Sequence, residues 1–358
     1  MNQIKSVIVV IAVVVSFLIA WENYWRIKGH IPTYNDDKAL WANKRSEAYK
    51  VKNEATVFIG SSRIKFDLDI PTWRQITGED AVQLSLVGTS PLLLLEDLAN
   101  DKKFRGKLVI DVTEPLFFSQ NPGFHKSAKE ATAFYKSQTL AEKMSSALNL
   151  ALESNLTFLE ERRFSLNSLL NDLELENRKG VFSMPAFPKG FEWTTYDRQT
   201  YMSDMFLSDS NAINKQTSIW LTLIMGDKTP PVSGEPLTAI FAQVKSSVDK
   251  IKSRGGKVIF VRTPSSGVMG EGEKKFFPRN VYWEPMLNYV NADGIHFLDY
   301  NETKDLICPE WSHLSRKQAR GYTSHLASVH NSKGWFSEQL SNHQSTKIIV
   351  CFSTLILL

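Results

Sequence analysis

The chain has only two cysteines in 358 residues, Cys308 and Cys351. Two cysteines cannot build a disulfide framework, and their spacing is not that of metal ligands. His125, His325, His330 and His343 are unclustered, so the sequence offers no metal site. It also lacks a long basic run with interleaved aromatics, and its net charge is only +4, which argues against nucleic acid as a partner. There is no repeat of fixed period. No glycine-rich phosphate loop is present either, since Gly60-Ser61-Ser62-Arg63 does not end in Gly-Lys-Ser/Thr. No cofactor is expected. What remains is an ordinary globular composition, 42% hydrophobic and 22% charged, in a length that suits one large domain or two small ones.

One long apolar run stands at the start. Lys5 precedes the uncharged segment Ser6 to Trp21, which is close to the roughly 17 residues that a membrane span requires. No small-x-small cleavage site follows it. Trp21, Tyr24 and Trp25 instead resemble an interfacial aromatic belt, although Arg26 and Lys28 lie on the far side and leave the charge asymmetry weak. Residues 1–25 are therefore expected to be an uncleaved signal anchor in the cytoplasmic membrane, with a stalk over 26–54 and the body outside the cytoplasm, in the periplasm. A second apolar stretch, Lys347 to Leu358, is about 18 Å long as a helix and too short to cross a bilayer. It lies in a C-terminal tail, 336–358.

Between these ends, five stretches read as strands. The first leads into Gly60, and 81–87, 107–112, 257–262 and 294–300 follow. Most are nearly continuous in Val, Ile, Leu and Phe, as expected for strands buried on both faces. Helices alternate with them. Ser90-Pro91 is a start signal, Gly255-Gly256 a stop, and Ser315 with Gln318 a capping box before the stripe Ala319, Tyr322, Leu326, Val329. The alternation predicts an α/β domain over 55–335 with a doubly wound, mainly parallel five-stranded sheet. Residues 115–235 break the pattern. They hold an amphipathic helical stretch that includes Leu148, Leu152, Leu159, Leu166, Leu170 and Leu173, then a Pro-, Gly- and aromatic-rich segment. We read them as an insertion covering one edge of the site.

Ligand sites in open α/β sheets form at the carboxyl ends of strands, and Gly60-Ser61-Ser62 and Gly88 both fall there. Taken alone, the serines are turn and cap residues. The far end of the chain changes that reading. Glu310 precedes His313 by three residues, just before a helix cap. A carboxylate there fixes the imidazole tautomer and leaves the other ring nitrogen as a base, which a serine hydroxyl needs to become a nucleophile.

This layout resembles the SGNH (GDSL-like) hydrolases, particularly their membrane-anchored relatives linked to acylation of envelope polysaccharides. The resemblance covers roughly 55–115 and 255–330, through Gly60-x-Ser62, Gly88 and Glu310-x-x-His313. It implies a flavodoxin-like fold, Ser62 as nucleophile, His313 as base, Glu310 in place of the family's Asp, and an oxyanion hole built on the backbone N–H groups of Ser62 and Gly88. Where the family offers Gly-x-Asn after the third strand, this chain has Thr113-Glu114. An ionised Glu114 can only accept hydrogen bonds, so Thr113 is the candidate substitute donor. Asp293-x-x-His296 is a rival pair, but His296 sits inside a predicted strand. Arg63, Arg262 and Trp283 are weaker candidates for binding an anionic or sugar substrate. The implied activity is a serine esterase or O-acyltransferase acting on acyl, in the first place acetyl, esters of a glycan, with a multi-span membrane acyltransferase as a possible partner. The alternative is a non-catalytic accessory protein that keeps the fold and binds glycan or a membrane acyltransferase.

Overall fold

The computed structural model describes residues 3–49, 55–166, 170, 186–226 and 229–335. Leu173 and the 336–358 tail lie outside these residues.

Five strands form the central sheet: β1 (Ala55–Ile59), β2 (Asp80–Gln83), β3 (Lys107–Asp111), β6 (Lys257–Arg262) and β7 (Asp293–His296). All are parallel, in the order β2-β1-β3-β6-β7. The short strands β4 (Trp193–Thr194) and β5 (Thr200–Tyr201) pair antiparallel in the insertion. Successive residues of the central strands face opposite sides of the sheet, and each side has its own apolar core. Val57, Ile59, Leu108, Ile110, Val258 and Phe260 pack with the helices Leu92–Asn100, Gly234–Lys252 and Trp283–Val290. Phe58, Val109, Ile259, Val261 and Ile295 pack with the helices Ile70–Thr77 and Arg316–Ser332. Burial on both faces explains the unbroken apolar runs in the sequence.

Two expected strands are shorter than the sequence suggests. β2 stops at Gln83, although Leu84 and Leu86 still donate backbone hydrogen bonds to Phe58 and Gly60. β7 stops at His296, whose side chain accepts from the Leu298 N–H and opens a 3-10 turn over Phe297–Asp299. The helix expected to begin at Pro91 begins at Leu92. The Ser315–Gln318 capping box is present.

The apolar N-terminus is one helix, Gln3–Ile27, long and apolar enough to cross a membrane and unburied by the rest of the protein over its apolar window. Part of the expected stalk belongs to the domain instead. Asp37 caps a helix, Lys38–Glu47, that buries Leu40, Trp41, Ala42, Lys44 and Arg45. Trp41 joins the core and its indole N–H donates to the Leu84 carbonyl at 2.9 Å. Arg45 pairs with Asp97 and Asp101. An aromatic and an arginine anchored in this way turn a polar-looking linker into a packed element.

Candidate active site

The strand order places β1 between β2 and β3, and such a switch point opens a crevice at the carboxyl ends of the flanking strands. β1 delivers Gly60-Ser61-Ser62 to that crevice and β3 delivers Asp111 and Thr113. Gly60 is required by packing. A Cβ there would lie 2.5 Å from the Asp111 Cβ and 2.7 Å from the Ile64 Cγ2, closer than real side chains approach.

The two serines divide the work. Ser61 is buried and caps the helix Ser62–Asp67 by accepting from the Arg63 N–H at 3.2 Å. Its hydroxyl lies 2.7 Å from the Thr113 Oγ1, which in turn donates to the Asp111 Oδ2 at 3.0 Å. Burial pushes the Asp111 carboxyl above its ordinary range, against the pull of Arg63, Thr263 and Arg262. Ser62 is the first helical residue, only partly buried, and its Oγ lies 2.9 Å from the His313 Nε2.

His313 is almost fully buried. Its Nδ1 lies 3.0 Å from the Glu310 Oε1, which also accepts from the backbone N–H groups of Ser312 and His313 at 3.2 and 2.6 Å. With Nδ1–H donated to the carboxylate, Nε2 is left to accept from the Ser62 hydroxyl. Trp311, between these two residues, has a φ of 77°. Left-handed backbone is costly for a bulky residue and clusters at functional sites.

The insertion completes the set. Trp220, on the helix Ser210–Gly226, donates its indole N–H to the Glu310 Oε2. Phe66 stacks on the His313 ring with centroids 4.2 Å apart, and Phe191 and Trp220 pack at 6.0 and 6.1 Å. Trp220 is invisible to sequence reading because nothing near it in the chain is chemical. Its one signal is the aromatic density of the insertion. Asp111 carries a clearer signal, an acid closing an apolar strand.

Gly88 has a φ of +58°, and a Cβ on it would meet nothing within 4 Å. Its N–H and that of Ser62, which a helix start leaves without an intrahelical acceptor, are backbone donors in the segments that follow β2 and β1. The Thr113 hydroxyl is engaged by Asp111 Oδ2 at 3.0 Å and by the Ser61 Oγ at 2.7 Å, within the buried side of the crevice. Glu114 is not at the oxyanion position in any functional sense. It is buried, and its two oxygens share the single Arg262 Nε–H at 2.8 and 2.9 Å.

The weaker candidates are not brought to the crevice as ligand-binding groups. Arg63 and Arg262 are buried and share Glu273, so the two guanidiniums and the two carboxylates of Glu114 and Glu273 neutralise each other. Glu273, held between two arginines, is pulled down to about 2, whereas burial raises Glu114. Trp283 belongs to the core. The rival pair is not assembled. His296 is buried, its Nδ1 accepts from the Leu298 N–H, and desolvation with Arg262 and Arg279 nearby lowers its pKa to about 2. Asp293 faces Lys333 at 3.5 Å instead.

Among the described residues no group of three or more His, Cys, Asp or Glu side chains is placed to hold a metal ion. No protein-family model matches the chain, and no curated protein matches it.

Proposed function

We propose that the chain is a membrane-anchored serine esterase or O-acyltransferase of the SGNH type, acting outside the cytoplasm on acyl esters of an envelope polysaccharide. The observation that carries this reading is the 2.9 Å approach of the Ser62 Oγ to the His313 Nε2, with Glu310 on the other ring nitrogen. The strand order, that of flavodoxin-like sheets, and the N-terminal apolar helix support it.

In this mechanism the Ser62 Oγ attacks the ester carbonyl carbon while the His313 Nε2 takes its proton. Glu310 keeps the imidazole in the accepting tautomer and stabilises the imidazolium that forms. The Ser62 and Gly88 N–H groups receive the oxyanion. The tetrahedral intermediate collapses, the C–O bond to the alcohol breaks, and that alcohol leaves with the proton from His313. The acyl group is then carried on Ser62. A water or a sugar hydroxyl, deprotonated by His313, attacks it and regenerates the serine. Phe66, Phe191 and Trp220 shield the base and acid from bulk water and leave Ser62 accessible. The resemblance in sequence points to acetyl as the acyl group and to a multi-span membrane acyltransferase as donor partner.

The test is fluorophosphonate labelling of the full-length chain beside its Ser62→Ala and His313→Ala variants. Labelling of the wild type and of neither variant is the expected result. A folded wild type that takes no label overturns the reading in favour of a non-catalytic accessory protein.

A further inference from the structure

The helix Leu140–Glu153 is amphipathic the wrong way round for a helix on a water-facing surface. Leu140, Met144, Leu148 and Leu152 follow at four-residue spacing and so share one face. That face points outward, with the four side chains 74, 62, 67 and 50% exposed. The opposite face is the one attached to the protein. Ser146 is buried there, and Glu153 accepts from the Asn35 side chain at 3.3 Å. Thr139 and Glu142 form a capping box, so the helix is well started and its apolar face is presented on a built element. Leu166 and Leu170, further along the same insertion, are also exposed. Contiguous exposed apolar surface of this kind marks an interaction site.

Its location identifies the occupant. The end of this helix is fastened to the point where the N-terminal helix leaves its apolar run. Arg26 donates to the Asn155 carbonyl at 3.0 Å, and Glu22 accepts from the N–H groups of Thr157 and Phe158. Trp25 packs on Phe164 with centroids 4.7 Å apart. Trp21 and Tyr24, the interfacial aromatics, lie on the same turns as these contacts. A helix that ends at the bilayer boundary and turns an apolar face outward matches an interfacial amphipathic helix.

We propose that the outward face of Leu140–Glu153 lies in the lipid headgroup and acyl boundary, so that the domain meets the membrane at a second point besides its anchor. This rests on the helix Gln3–Ile27 crossing a bilayer and is independent of the chemistry at Ser62. Two attachments fix the height and rotation of the domain above the membrane, where a single helical tether would leave it free to swing.

Full-length protein carrying Cys351→Ser and Cys308→Ala, with single cysteines from Val13→Cys, Leu148→Cys or Lys245→Cys, is labelled with a small fluorophore and reconstituted in phosphatidylcholine–phosphatidylglycerol vesicles. Quenching by nitroxide on the lipid acyl chains is compared with quenching by aqueous iodide. Residues 13 and 148 are expected to be quenched from the lipid and protected from iodide, and residue 245 the reverse. Lipid quenching at 13 but iodide quenching at 148 overturns the docking alone. Protection of 148 from both quenchers also overturns it, in favour of a protein partner or a second copy on this face. Absence of lipid quenching at 13 overturns the docking together with the anchor.

Discussion

The Asp67 carboxylate accepts a hydrogen bond from the Leu314 N–H at 2.9 Å, so the short helix that begins at Ser62 is tied at its other end to the residue after His313. Ser62 and His313 are therefore held by one brace. The other Asp67 oxygen, Oδ2, is buried with no hydrogen-bond partner among the described residues. Burial pushes this carboxyl well above the usual range, helped by the nearby charges of Asp111 and Glu310.

Two variants separate brace from charge. Asp67→Ala leaves the Leu314 N–H without its acceptor, at a cost of about 1–3 kcal/mol, and should reduce fluorophosphonate labelling of Ser62. Asp67→Asn keeps an acceptor and should label normally. The raised pKa also has a sign. Folding favours the protonated form, so the contribution is intact below the unfolded value of about 3.9 and is lost as pH rises towards the folded value. Denaturant melts across pH should show Asp67→Asn gaining on the wild type as pH rises above about 4.

Trp220→Phe removes the indole N–H from Glu310 while keeping an aromatic ring beside His313. A hydrogen bond to a charged group is worth about 1.5–3 kcal/mol. Turnover of a chromogenic acetyl ester should fall about tenfold or more, by that energy, with the fold intact by circular dichroism. An unchanged rate would remove Trp220 from the catalytic set.

The four-charge cluster predicts a rescue. Arg262→Met strands Glu114 and leaves Glu273 with one arginine, which should cost about 3–5 kcal/mol. Arg262→Met with Glu114→Gln restores a one-to-one Arg63–Glu273 pair and should be more stable than the single variant in urea melts. The pH signature follows from Glu273, whose folded pKa is about 2. Its contribution is present above the unfolded value of about 4.3 and disappears as pH falls towards 2.

Gly60→Ala should fail for steric reasons. The new methyl group would meet the Asp111 Cβ on a buried strand end and the Ile64 side chain, neither of which has room to move. Overpacking of this kind costs about 1–3 kcal/mol or more, and thermal melts should show the loss whether or not Ser62 is labelled.

Local patterns carried much of the sequence reading. β1, β3 and β6 are apolar runs whose burial on both faces leaves no polar interruption, and the Ser315–Gln318 box is encoded within four residues. The meeting of Ser62, Glu310 and His313 was legible because a serine after a strand and an acid and histidine three apart before a helix match a chemical requirement. Arg63 and Arg262 were misjudged as substrate-facing. Arg63 finds Glu273 210 residues away and Arg262 finds Glu114 148 residues away as well as the nearer Glu273, and no local pattern reports ion pairs at those distances. The Lys38–Glu47 helix was misjudged for the same reason, since Arg45 finds Asp97 only after folding. Thr113 fell to a neighbour two residues back, Asp111, whose demand for a proton is set by burial.

Ser62 and His313 are 251 residues apart in the chain. At about 5–20 residues per second, roughly 12–50 s of synthesis separate the two residues. The Trp220 contact to Glu310 likewise waits for the C-terminal part. On the proposed reading, a nascent or truncated chain that stops short of residue 313 carries an unactivated serine, and the hydroxyl becomes reactive only after His313 has been made and folded against it.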